Sequence, residues 1–180
     1  YNLKSVLKSW KFYQMFLIIF LSSPFGFFMA NYYKIMGMKK INDDLNFVII
    51  GSVTGLVNGL ARFLIPLVVK KIRFKVLISL LIVIQIIIIP TFYQIIENQS
   101  LFGIWNAAAL FCQGGIYAIF PSATHNTFGK NLWTESYTLM LLSFVLSNIF
   151  HFCISSTLLD LVGLEDVLWI YFALCVVAFF

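Results

Sequence analysis

Apolar residues come in long blocks along this chain, not in alternation with polar ones. Residues 12–33 carry no charge, and 45–69, 76–96, 101–124 and 135–159 are interrupted by very few ionisable side chains. At about 1.5 Å per helical residue, blocks of this length cross a hydrocarbon core of about 30 Å. A last block, 167–180, reaches only about 21 Å and is expected to continue beyond the final residue. The pattern predicts an all-α, polytopic membrane protein: a single domain over residues 1–180 with six transmembrane helices. Polar loops are expected at 34–44, 70–75, 97–100, 122–134 and 160–166. Prolines and glycines punctuate the blocks. Pro24 and Gly26 predict a kink in the first span, and Gly114-Gly115 a break in the fourth, which should end near Pro121. Gly51, Gly55 and Gly59, spaced by four, share one helical face, and that face is expected to admit another helix closely.

Composition agrees with the pattern. Apolar residues make up 61% of the chain and charged residues 11%, against about half and a quarter in soluble domains. The net charge of +5 sits at helix ends and forms no basic stripe, so the expected partner is the lipid bilayer and not nucleic acid. Lys70, Lys71, Arg73 and Lys75 form a basic elbow that cannot enter hydrocarbon and belongs on the cytoplasmic side or its equivalent. With alternating spans that side also takes Lys4, Lys8, Lys11 and Lys130, whereas the other takes Lys34, Lys39 and Lys40. Both termini are therefore expected on the elbow side of a multi-pass protein. A plasma membrane and an organelle such as the mitochondrion both fit. Tyr1 opens the chain with no signal peptide before the first span, so a fragment, a processed product or an incompletely known sequence is expected.

Little points to covalent chemistry. Cys112, Cys153 and Cys175 lie inside apolar spans without CxxC spacing, so no disulfide framework, metal or cofactor is expected. His125 and His151 belong to different segments, no serine sits in a G-x-S-x-G elbow, and the acids lie almost entirely in loops, so an enzyme is not expected. The informative polar residues are intramembrane. Arg62 is a cation inside a span and must snorkel, pair or meet an anionic solute. Asn58 lies one turn earlier. Gln113 and Tyr117, with Asn106, mark a polar face on the fourth span. On the fifth, Ser143, Ser147, His151 and Ser155 recur every four residues with Asn148 beside them, which admits either interhelical hydrogen bonding or a solute pathway. His151 adds a group able to exchange protons near neutral pH.

The order of these features resembles the carboxy-terminal half of a major facilitator superfamily transporter, nearest its oxalate/formate antiporter-like and monocarboxylate carrier branch. The resemblance covers essentially the whole chain. It rests first on Gly55-Leu56-Val57-Asn58-Gly59-Leu60-Ala61-Arg62 and the basic loop that follows. There Lys71 and Lys75 match basic positions, whereas Pro66, Lys70 and Arg73 stand where the family has glycine, aspartate and glycine. It rests second on Gln113-Gly114-Gly115-Ile116-Tyr117-Ala118-Ile119-Phe120-Pro121-Ser122-Ala123, followed by Phe128-Gly129-Lys130. The resemblance implies half of a twelve-helix carrier that moves a small organic anion, a monocarboxylate or dicarboxylate, by alternating access. The site would lie between this half and another six-helix half. Asn58, Arg62, Gln113, Tyr117 and His151 are the candidate substrate-binding residues. The alternative is a transporter-like accessory subunit without transport activity, packed against partner membrane subunits in a larger complex.

Overall fold

The computed structural model describes residues 3–38, 43–69 and 71–180. Lys39, Lys40 and Lys70, which entered the charge distribution above, lie outside them. The described residues form eight helices: α1 Leu3–Leu7, α2 Trp10–Ser22, α3 Pro24–Met38, α4 Asp44–Val69, α5 Phe74–Ile95, α6 Gln99–Phe128, α7 Trp133–Leu158 and α8 Leu164–Phe179. Five runs are long and apolar enough to cross a membrane: α2 with α3, α4, α5, α6 and α7. The sixth expected span corresponds to α8, whose 16 residues extend only about 24 Å. All of this is the architecture of a multi-pass membrane protein.

The break between α2 and α3 falls in the middle of the first run. Pro24 has no N–H to give, and Ser23, bonded through its own N–H to the Ile19 carbonyl, ends α2 there. Ser22 returns its hydroxyl to the Ile18 carbonyl at 2.6 Å. Ser22, Ser23 and Pro24 are all buried, so this irregular backbone is shielded from lipid by protein, the condition under which a broken helix is tolerated at membrane depth.

Glycine and proline act differently elsewhere. α6 does not break at Gly114-Gly115 and does not end at Pro121; it runs unbroken to Phe128 and stops at Gly129, whose φ of 78° suits glycine. The expected loop 122–134 shrinks to the short turn between α6 and α7. The glycine pair is a contact point. A Cβ at Gly114 would stand 2.5 Å from the Asn58 carbonyl oxygen and 3.2 Å from Ala61 Cβ, and one at Gly115 would stand 2.8 Å from Leu81. α4 and α5 thus close on α6 through its own small residues. By contrast, Gly55 and Gly59 have nothing within 4 Å of a Cβ position, so of the expected close-approach face the Gly51 end meets a neighbour, Tyr33 of α3, and the rest is bare among the described residues. α4 instead packs through Phe47, Thr54, Ala61 and Ile65. Only 22% of its most apolar stretch is buried, against 56% for α6, so α4 is a flank of the bundle and α6 its centre.

α2 packs on α7 and α8, α3 on α6 and α7, and α5 on α6 and α8. Rings fill the interior: Phe102 meets Phe47 at 5.7 Å and Phe92 at 5.3 Å, and Tyr171 meets Phe28 at 5.1 Å. The alternation of the long helices leaves Lys4, Lys8, Lys11, Lys71, Arg73, Lys75 and Lys130 at one end. The other end has Lys34, ion-paired with Asp44, and most of the acids.

Candidate functional site

Two polar groups emerge at membrane depth, and they differ in what surrounds them. The first is organised by Arg62, about two turns before the end of α4. Asn58, one turn earlier, points at α6 and donates its amide to the Leu110 carbonyl at 2.7 Å. It is therefore a clamp between helices, made possible by the small residue at Gly114. Arg62, one turn further along α4, is exposed. Its guanidinium lies over the Tyr117 ring, 4.8 Å from the centroid, an attraction of cation to ring face. Tyr117 in turn stacks on Phe144 of α7 at 4.0 Å with planes 12° apart, and meets Phe27 of α3 edge-on at 6.2 Å. Tyr137, two turns before Phe144 on α7, is half-buried. Among the described residues no carboxylate reaches ion-pairing distance of Arg62; Lys34 with Asp44 is the pair that forms. The open side of the bundle thus carries a cation backed by the Tyr117 ring and, among the described residues, unneutralised by an acid.

The second group is enclosed. His151 is buried, and its Nδ1 stands 3.0 Å from the Tyr171 hydroxyl of α8 and 3.1 Å from Ser155 Oγ, one turn along α7. Ser155 and Tyr171 are themselves 3.0 Å apart, closing a triangle of hydrogen bonds. The other ring nitrogen, Nε2, lies 3.4 Å from the amide of Asn31 on α3. Phe27, Phe28 and Tyr32 wall the imidazole at 6.4, 6.1 and 5.8 Å between centroids. Earlier on the same face, Ser143 donates to the Phe16 carbonyl at 2.7 Å. The serine and histidine stripe of α7 is therefore turned into the chain's own helices, while Asn148 is exposed. Ser143, His151 and Ser155 make hydrogen bonds to other helices, whereas the buried Ser147 hydroxyl finds no partner among the described residues.

The five residues singled out in the sequence thus separate. Arg62 and Tyr117 meet, with Asn58 bracing the helix beneath them. His151 belongs to the enclosed triangle, linked to Tyr117 only through Phe27, whose ring touches both. Gln113 is buried against α3, in space that Gly26 leaves: a Cβ there would fall 2.1 Å from Gln113 Oε1. Its amide, like that of fully buried Asn106, finds no hydrogen-bond partner among the described residues. Tyr171, Phe144, Tyr137 and Asn31 were not foreseen. Tyr171 had a signal, since a phenol in an apolar span needs a partner and the unpaired stripe of α7 offered one. Among the described residues no three His, Cys, Asp or Glu side chains gather as metal ligands. Compared with models of known protein families and with curated proteins, the chain matches none.

Proposed function

We propose that the protein works in secondary active transport of a small organic anion, a monocarboxylate or dicarboxylate, as the six-helix half of a major facilitator superfamily carrier. One observation carries the reading: Arg62 is an exposed cation within a span, held against Tyr117 and without a carboxylate partner. A cation at that depth is costly unless it meets an anion or reaches water, and a guanidinium grips a carboxylate through two parallel hydrogen bonds. The open side of α4 and the exposed Gly55 and Gly59 leave room for the other half of the carrier, with the solute held between the two. No covalent chemistry is involved. The test is uptake of labelled formate, oxalate, lactate or pyruvate into vesicles containing the full-length protein. Flux that Arg62→Ala abolishes and Arg62→Lys partly keeps supports the assignment, and equal flux in all three removes Arg62 from the mechanism.

A second reading is favoured by a different observation. Ser143, His151 and Ser155 of the α7 stripe bond to the chain's own helices, as in a packing element that transports nothing, and the bare α4 face then seats a partner subunit. Stoichiometric co-purification with a large membrane complex, without uptake of any of these anions, would decide for it.

A further inference from the structure

At the cationic end of the bundle a cavity of about 540 Å³ opens between the last turns of α4 and α6 and the start of α7, lined by Val69, Pro121, Ser122, His125, Asn126 and Trp133. We propose that it receives the phosphate of an anionic phospholipid headgroup from the leaflet on the elbow side.

Its lining is divided in the way a headgroup requires. Val69, Pro121 and Trp133 form apolar walls. Ser122, His125 and Asn126 bring a hydroxyl, an imidazole and an amide from one turn of α6, and among the described residues no acid lines the space. His125 is seated against Trp133, with ring centroids 6.4 Å apart. Indole is at home at headgroup depth, where one edge is wet and the face is apolar. α7 begins at this wall with no side chain capping its N-terminus, which adds a weak preference for negative charge.

The charges around the cavity have the matching sign. Lys71 and Arg73 follow Val69 within four residues, Lys75 opens α5, and Lys130 lies in the turn between Asn126 and Trp133. All four are exposed, and Glu135 is the acid nearest the α7 wall in sequence. Basic pockets between transmembrane helices at this surface attract anionic lipids, and each nearby cation adds to the attraction. The volume falls within the usual range for small-ligand sites. Arg62 is about two turns deeper along α4, so the cavity is separate from the open face described above, and its occupation can be read without any flux.

The experiment is native mass spectrometry of the full chain after delipidation and exposure to phosphatidate and phosphatidylcholine of the same acyl chains. Selective retention of phosphatidate is expected. Replacing His125→Ala together with Asn126→Ala should lower that retention about tenfold, the loss of one hydrogen bond to a charged group, and leave phosphatidylcholine unchanged. A second variant with Lys71→Gln and Lys130→Gln should lower it about fivefold per cation. All these side chains are exposed, so a matching melting temperature checks that the variants fold. Equal retention of the two lipids, or retention that neither variant changes, overturns the proposal. Complete displacement of phosphatidate by inorganic phosphate assigns the cavity to a soluble anion and overturns the lipid assignment.

Discussion

The Arg62 face and the His151 triangle are made from the same kind of sequence, polar residues one turn apart on an apolar helix, yet they end in opposite environments. Around His151 the partners come from three helices of this chain, with Asn31 on α3, Ser155 on α7 and Tyr171 on α8. Around Arg62 the neighbours are rings, and the side towards bilayer or cavity stays open. Periodicity therefore reports that a face turns away from lipid, but not whether it meets the chain's own helices or a space meant for something else. That distinction is set by which polar groups find partners in the folded bundle.

The largest effect that separates the two regions is functional. In the full-length protein Arg62→Ala should cut anion uptake about a hundredfold, the cost of leaving a charged ligand without its partner, whereas His151→Gln should leave uptake within about twofold while lowering stability. Loss of uptake in both to the same degree would merge the two regions into one site.

Next comes the contrast between glycines. Gly114→Ala places a methyl against the Asn58 backbone, which cannot move aside like a flexible side chain, and should cost about 1–3 kcal/mol in detergent unfolding. Gly55→Ala and Gly59→Ala meet open space and should be neutral or gain up to about 1 kcal/mol from helix propensity. If the larger change Gly55→Leu releases a co-purifying partner while the isolated chain keeps its stability, the bare α4 face is an interface.

A smaller effect is expected inside the triangle. Tyr171→Phe removes the hydroxyl shared by His151 and Ser155 and should destabilise by about 0.6 kcal/mol and at most about 1.7 kcal/mol, the average and maximum for hydrogen bonds between membrane helices. Asn31→Ala, at the long 3.4 Å contact, should cost less. The smallest effect belongs to Lys34→Gln, which breaks an exposed ion pair with Asp44 and should shift stability by no more than about 1 kcal/mol. A loss above about 1.7 kcal/mol would mean that the pair is shielded.

Much of the fold is legible in the apolar blocks, because hydrocarbon leaves the backbone no option but helix over such lengths. The midspan irregularity at Ser23 is likewise written in Pro24, which lacks the donor that would continue α2. The glycines mislead for a physical reason. Removing a side chain permits close approach but does not summon a neighbour, so Gly55 and Gly59 stay bare while Gly114 and Gly115, read as a weak point, are where α4 and α5 come close to α6. Pro121 sits inside α6 with Thr124 bonding the Phe120 and Pro121 carbonyls, and a proline in a packed helix need not end it. At the site, Arg62 and Tyr117 stand out as polar groups in spans. Phe144 and Phe27, which position Tyr117, are indistinguishable in sequence from the other phenylalanines of a chain that has 20. The triangle of His151, Ser155 and Tyr171 joins residues of α7 and α8, and only the packing of those helices decides that pairing.

The measurement that bears most directly on this contrast is thiol labelling of single-cysteine variants. In a background with Cys112, Cys153 and Cys175 replaced, Arg62→Cys, Tyr137→Cys and Ser155→Cys of the full-length protein would be exposed in membranes to a small, charged, water-soluble reagent. Labelling at positions 62 and 137, with position 155 silent until the protein is unfolded, is the expected pattern. Labelling at 155 in the folded protein, or silence at all three, would show that the open face and the enclosed triangle do not differ as described.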